Sequence, residues 1–319
     1  MLLMMCLRRV AMKYLKNRKT STTKSFFGKD SVQAVMMLSP MLIGFMIFTY
    51  IPILYILKYS IYNYDGFRGH INGIENFIRV FTRDSAFWES LLNTVILAGG
   101  KLIIEIPLAL FFAVLLNKNV KGTGIFRVSL FLPTIISTAI IGLIFSLMFA
   151  AYQGVINSML IDIGFIQRPI DWFGRKWTAM LVLGIASVWS YVGINIIFFL
   201  MALQSIPKEL HECAKLDGAG GMRRFISITL PMIGPIFRVI LLNAIIGSLK
   251  VNDLVMASTN GQPNGQTEVV MTYIFKYFFG YSGRKAEIGY ASAMSVVTGV
   301  FLGIITIIYL KASSKMNVE

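Results

Sequence analysis

Few residues in this chain are placed to do chemistry. Lys101 and Glu105 lie four apart inside an otherwise apolar run, a spacing that puts opposite charges side by side on a helix and offsets their desolvation. Structural pairing is favoured there over a site for a coupling ion. Ser187, Ser190 and Tyr191 follow i, i+3, i+4 spacing, and Ser248 and Asn252 share a second face. With Asn195 and Asn243 they supply neutral hydrogen-bonding groups suited to a polar, uncharged solute, and Trp189 offers a ring for stacking if it faces the same cavity. For any one of these residues alone, an interhelical hydrogen bond is the commoner use. Metal chemistry has no support: Cys6 and Cys213 stand far apart, and His70 and His211 lack spaced partners. Cys213 reads as a small packing residue. Gly99-Gly100-Lys101 looks like the end of a phosphate loop, but no Gly-x-x-x-x-Gly-Lys-Ser/Thr run exists, so the chain is not expected to hydrolyse ATP and the two glycines read as close helix packing. A membrane enzyme is disfavoured because no paired intramembrane carboxylates or nucleophile-base constellation stands out.

The elements that must carry these residues are membrane helices. Of 319 residues, 56% are hydrophobic and 14% charged, and a mean hydropathy of +0.69 is too high for an ordinary soluble domain. A net charge of +15 could suggest nucleic-acid binding, but a soluble basic domain would not carry several long apolar runs. The opening Met1 to Leu7 is short and precedes its basic residues, unlike a secretory signal; Arg8 to Lys29 reads as a cytoplasmic arm.

Apolar runs of about 20 residues, the length that crosses a bilayer, predict six spans: Gln33 to Tyr55, Leu91 to Leu116, Val128 to Ala150, Thr178 to Leu203, Ile228 to Leu249 and Gly289 to Leu310. The first holds Pro40 and Pro52, tolerable where neighbours satisfy the freed backbone groups. The sixth carries Ala291, Ser295, Gly299 and Gly303 at four-residue intervals, a stripe that lets another helix approach closely. Lys118, Lys121 and Arg127 follow span two, and Lys208, Lys215, Arg223 and Arg224 follow span four. By the positive-inside rule these loops, the basic arm, Lys311 and Lys315 share the cytoplasmic side, so both termini are expected inside. The expected fold is an all-α polytopic membrane protein: a basic arm over 1–32, a transmembrane domain over 33–310 and a short tail over 311–319.

The connection between spans four and five, residues 205–227, has the grammar of a short helix. Ser205 is a candidate cap, Pro207 suits the first turn, Gly218 can supply the left-handed stop, and Lys208, Glu212 and Lys215 line one face. Ala219-Gly220-Gly221 and Arg223-Arg224-Phe225 lead on to Pro231, which can begin or bend the next span. Such a polar face between two spans reads as a protein-docking elbow rather than a merely solvated helix.

This segment resembles the EAA loop of binding-protein-dependent ABC permeases, whose pattern is Glu-Ala-Ala, three residues, Gly, nine residues, Ile, one residue, Leu-Pro. Glu212, Ala214, Gly218, Ile228, Leu230 and Pro231 match in register, and Cys213 replaces the first Ala. Asn93-Thr94, Phe131-Leu132-Pro133, the Gln204 to Pro207 approach and Asn252 to Thr267 extend the likeness over most of the chain, which is similar to the first permease of maltose and multiple-sugar uptake systems. The resemblance implies a transport subunit without catalysis. Glu212, Ala214, Asp217, Gly218, Leu230 and Pro231 would couple to a separate cytoplasmic ATPase dimer that carries ATP and Mg. It also implies a second homologous permease and an extracytoplasmic solute-binding protein, in a bacterial cytoplasmic membrane and with no nucleic-acid partner. Transport between the spans that flank the loop would make Ser187, Ser190, Tyr191, Asn195, Asn243, Ser248 and Asn252 candidates for the path of a sugar or oligosaccharide, with Thr259 to Thr267 as an outward docking loop. Glycerol phosphate or another small polar solute is the alternative cargo, and an ion-driven carrier working through Lys101 and Glu105 the competing mechanism.

Overall fold

The computed structural model describes residues 29–117, 122–281 and 285–314. The basic arm up to Gly28, with Cys6, lies outside them, as do Lys118, Lys121 and Lys315. The chain divides into two compact units, Met1–Tyr55 and Ile56–Glu319.

In the first unit, α1 (Lys29–Phe45) passes through a π-turn, Met46–Tyr50, into α2 (Ile51–Tyr59), which runs across the boundary. The turn ends just ahead of Ile51-Pro52. A proline inside a helix has no N–H for the preceding turn and its ring crowds that carbonyl, and one wider turn relieves both. Val32–Tyr59 makes an apolar helix of 28 residues, long enough to cross a membrane.

The second unit opens with an unforeseen hairpin, β1 (Tyr62–Tyr64) and β2 (Gly69–Ile71), antiparallel and closed at Asp65-Gly66. The Asp65 carboxylate accepts from the backbone N–H groups of Arg68 and Phe67 at 2.7 and 2.9 Å, and these bonds hold its pKa below the usual range. The helices then follow: α3 (Glu75–Thr82), α4 (Ser85–Leu116), α5 (Thr123–Ile135), α6 (Thr138–Met148), α7 (Val155–Asp162), α8 (Lys176–Gln204), α9 (Lys208–Leu216), α10 (Gly221–Arg224), α11 (Leu230–Leu249), α12 (Asp253–Ser258), α13 (Val270–Phe279) and α14 (Ile288–Ser314). Four of the expected spans are long apolar helices of this unit: Ser85–Leu116, Lys176–Gln204, Gly221–Leu249 and Ile288–Ser314. The second starts at Ser85 rather than Leu91 because Asp84 caps it, accepting from Phe87 N at 3.0 Å.

The third expected span is not one helix. Its two halves meet at 97°. Pro133 removes a donor from the last turn of α5, and Ile136 then turns extended (φ −74°, ψ 136°), which ends the helix before Thr138 starts α6. After the bend α6 lies directly on α12: a Cβ at Gly142 would stand 2.7 Å from the Leu254 carbonyl oxygen, so only glycine allows the contact.

Three apolar clusters hold the second unit together. Ala109 and Ala113 of α4 meet Phe199 of α8 and Ile233 of α11. Ile141 of α6, Leu183 of α8 and Val255 of α12 form another, and Val80, Phe87, Val270 and Met294 a third. The expected close packing at Gly99 and Gly100 is not found among the described residues, none of which lies within 4 Å of a Cβ built on either. The stripe on α14 is filled only at its start: Ala291 is buried, while Gly299 and Gly303 face open space. The close approach on this helix comes at Gly289, where a Cβ would sit 2.9 Å from Tyr64 N of the hairpin.

Candidate functional site

The elbow is built by a stop, a turn and a restart. α8 ends at Gln204, and Ser205 belongs to that end: its hydroxyl donates to the Ala202 carbonyl at 2.8 Å, so it closes α8 and does not cap α9. Ile206 is buried in the α4–α8–α11 cluster and pins the exit. Pro207 stands at the N-cap rather than in the first turn, extended at φ −58° and ψ 131°, and swings the chain away from the α8 axis.

α9 ends as its sequence predicts. Gly218 takes φ +76°, its N–H donates to Lys215 O at 3.0 Å, and Ala219 N–H donates to Ala214 O at 2.9 Å. The chain restarts at Gly221 and continues through a second π-turn, Phe225–Thr229, into α11. Pro231 therefore lies inside a helix that begins ten residues before it, and the π-turn stands to Leu230-Pro231 as the first one stands to Ile51-Pro52.

On α9, Lys208, Glu212, Cys213 and Lys215 are exposed, as are Asp217 and Gly218 beyond it, while Ala214 is half-buried. Leu230 and Pro231 are exposed too. Among the described residues, neither Glu212 nor Asp217 is in a salt bridge. Leu216 is 89% exposed and Met222 72%, so the elbow presents apolar side chains beside its charges. That mixture is typical of a surface waiting for a protein partner.

The interior face is a polar cluster between α4 and α8. Lys101 and Glu105 are buried, 3.4 Å apart. The Asn195 amide donates to Glu105 Oε1, and Lys101 Nζ lies 4.0 Å from the Tyr191 ring centroid. Tyr191 and Asn195 are thus brought to the ion pair that the sequence placed in a neighbouring span. Ser187 and Ser190 are buried on the same helix.

The remaining candidates do not join them. Ser248 donates to Ala244 O of its own helix at 2.7 Å, Asn252 donates to Asp253 at 3.1 Å, and Asn243 is exposed. Trp189 also falls away from the set: two residues from Tyr191 it points about 200° round the helix, towards the Phe145 ring at 5.8 Å. It lines a mostly apolar groove with Gly100, Leu181 and Ile185, which meets the polar cluster only at Lys101.

At the opposite end of these helices from the elbow, Asn93 and Thr94 anchor the 259–269 connection. Asn93 Nδ2 donates to the carbonyls of Gln266 and Glu268 at 2.9 and 3.0 Å, and Thr94 accepts from Val270 N at 2.9 Å. Lys276 reaches Asn260 O at 2.9 Å and pairs with Glu268 at 2.8 Å. Left-handed Asn260, Gly261, Asn264 and Gly265 shape the loop between.

Spacing gave no sign of the clamp beside this loop, because its members are distant in sequence. Tyr273 donates to Asp84 at 2.8 Å, Tyr290 donates to the same carboxylate, and Arg79 pairs with Glu287 over the Tyr290 ring. Burial, then the hydrogen bonds with Tyr277 and Asp84, push the Tyr273 phenol far above its usual range, so it stays a donor.

Residues 105–316 match the family described as binding-protein-dependent transport system inner membrane component. The chain is 36% identical over 291 residues to the probable ABC transporter permease protein YesP of Bacillus subtilis, covering 90% of this chain and 92% of that one. It is 30% identical to the arabinooligosaccharides transport system permease protein AraP of Bacillus subtilis, covering 94% and 95%. A chain of the bacterial alginate ABC transporter, solved in complex with alginate pentasaccharide-bound periplasmic protein, has the same fold with a TM-score of 0.79 at 23% identity, over 92% of this chain and 98% of that one.

Proposed function

Because this chain belongs to the binding-protein-dependent transport system inner membrane component family, we propose that it forms half of the translocation path for an oligosaccharide and that its elbow takes up the stroke of a separate ATPase. The chain is a membrane-embedded permease subunit of an ABC importer, a transport component and not an enzyme. Residues 1–32 and 311–319 are then cytoplasmic extensions, with both termini inside. ATP and Mg stay on the ATPase dimer, a second homologous permease completes the path, and a solute-binding protein docks against the Thr259 to Thr267 loop.

One observation carries the coupling assignment. α9 sits between two long apolar helices with Glu212, Cys213 and Leu216 turned outward and exposed among the described residues. Nucleotide that binds one state of the ATPase better than the other supplies the work, and the rigid turns at Pro207 and Gly218 pass it to α8 and α11. For cargo, the named substrate of AraP supports an oligosaccharide. The interior cluster is compatible with a neutral cargo, since Glu105 neutralises Lys101 and Tyr191 is left partly exposed beside the pair, while Ser187, Ser190 and Asn195 are buried between the helices.

The exposed thiol of Cys213 offers a direct test in a Cys6→Ser background. A membrane-impermeant maleimide is expected to label Cys213 in inside-out vesicles and not in intact cells, and bound ATPase is expected to slow the reaction. Labelling from outside intact cells would remove the elbow from the ATPase side and end this reading.

A further inference from the structure

Beneath the elbow lies a cavity of about 910 Å³ that the coupling role leaves unexplained. Its floor is apolar, with Pro107 and Phe111 of α4 and Leu203 of α8 among its lining. Its rim carries His211 and Lys215 of α9 and Arg224 of α10, with no Asp or Glu among the described lining residues. Arg224 is half-buried, and its Nε has no hydrogen-bond partner among the described residues. The cavity side of α9 adjoins its outward surface: half-buried His211 faces inward, while exposed Lys215 stands at the edge, about 60° round the helix from Glu212.

We propose that this cavity holds one anionic phospholipid of the inner leaflet, with its phosphate at Lys215 and Arg224 and an acyl chain along Pro107 and Phe111. The proposal rests on the cytoplasmic placement of the elbow argued above. Basic pockets between membrane helices on the cytoplasmic side recruit anionic headgroups, and each Lys or Arg there changes affinity by about fivefold. Free phosphate would satisfy the rim but leave the floor bare, whereas a lipid covers both. A lipid wedged between α4 and the elbow would stiffen the joint through which the ATPase pushes.

The test uses the importer with its partner subunits in nanodiscs of equal parts phosphatidylglycerol and phosphatidylcholine, extracted into mild detergent and read by native mass spectrometry. Phosphatidylglycerol is expected to co-isolate in excess over phosphatidylcholine, and Lys215→Gln or Arg224→Gln to lower that excess about fivefold each, with subunit stoichiometry checked in the same spectra. Equal retention of the two lipids, variants that match the wild type, displacement of phosphatidylglycerol by millimolar inorganic phosphate, or its loss when the ATPase binds would each overturn the proposal. Cys213 labelling reports the topology separately. Lost selectivity with Cys213 labelled from inside rejects the lipid site alone, and retained selectivity with Cys213 labelled from outside rejects the leaflet.

Discussion

Glu105 shows what a single side chain must satisfy inside this membrane protein. It takes its charge partner from Lys101 one turn earlier and its hydrogen bond from Asn195 across on α8, while Lys101 spends its remaining field on the Tyr191 ring. The i,i+4 half of this arrangement was legible in the sequence, but the α8 half was not, because nothing in a linear spacing says which face of one span meets another. A buried pair gains little net stability, yet removing one member leaves an uncompensated charge that costs about 3–5 kcal/mol. Lys101→Met is therefore expected to lower the thermal stability of the detergent-solubilised protein sharply, and adding Glu105→Gln, which keeps an acceptor for Asn195, to restore most of it. ATP-driven uptake is expected to survive in the double variant; uptake lost at restored stability would favour an ion-coupling role for the pair.

The elbow helix is an element that does not stand by its own propensity. Its 9 residues are too few to hold a helix in water unaided, so its shape comes from its ends: buried Ile206 and extended Pro207 at one, left-handed Gly218 at the other. Gly218 could be read from residue type because only glycine takes that conformation without strain. Ser205 misled, because a cap residue after a long helix can serve the end of that helix as well as the start of the next. Gly218→Pro forces φ from +76° to about −65° and removes the N–H that closes on Lys215, a cost on the order of 3 kcal/mol. It is expected to cut ATPase co-isolation and ATP-driven uptake by more than tenfold while protease accessibility of the spans stays the same. Glu212→Ala, on an exposed face, is expected to lower uptake with no change in folding. Unchanged uptake in both variants would mean that force enters the permease elsewhere.

At the scale of the whole molecule, the most informative surface is the one the chain leaves uncovered. Among the described residues nothing lies within 4 Å of a Cβ built on Gly299 or Gly303 of α14, although their spacing suits a closely packed helix. If that partner is the second permease, Gly299→Leu with Gly303→Leu overpacks the seam, at a typical 1–3 kcal/mol. Recovery of the paired permeases is then expected to fall roughly tenfold with membrane insertion intact, as read by co-isolation. Residue type and order alone determined the long apolar spans, the elbow between the fourth and fifth and its stop at Gly218, because hydropathy, missing donors and positive φ act through neighbouring residues. The 97° break in the third span has a local cause in Pro133 and extended Ile136, whereas tertiary structure decided the pairing of Glu105 with an Asn195 90 residues away, the separation of Trp189 from Tyr191, and which glycines touch anything. These depend on how helices distant in the chain are stacked and rotated, and a chain whose surface is apolar on most faces carries only a weak amphipathic signal to set that rotation in advance.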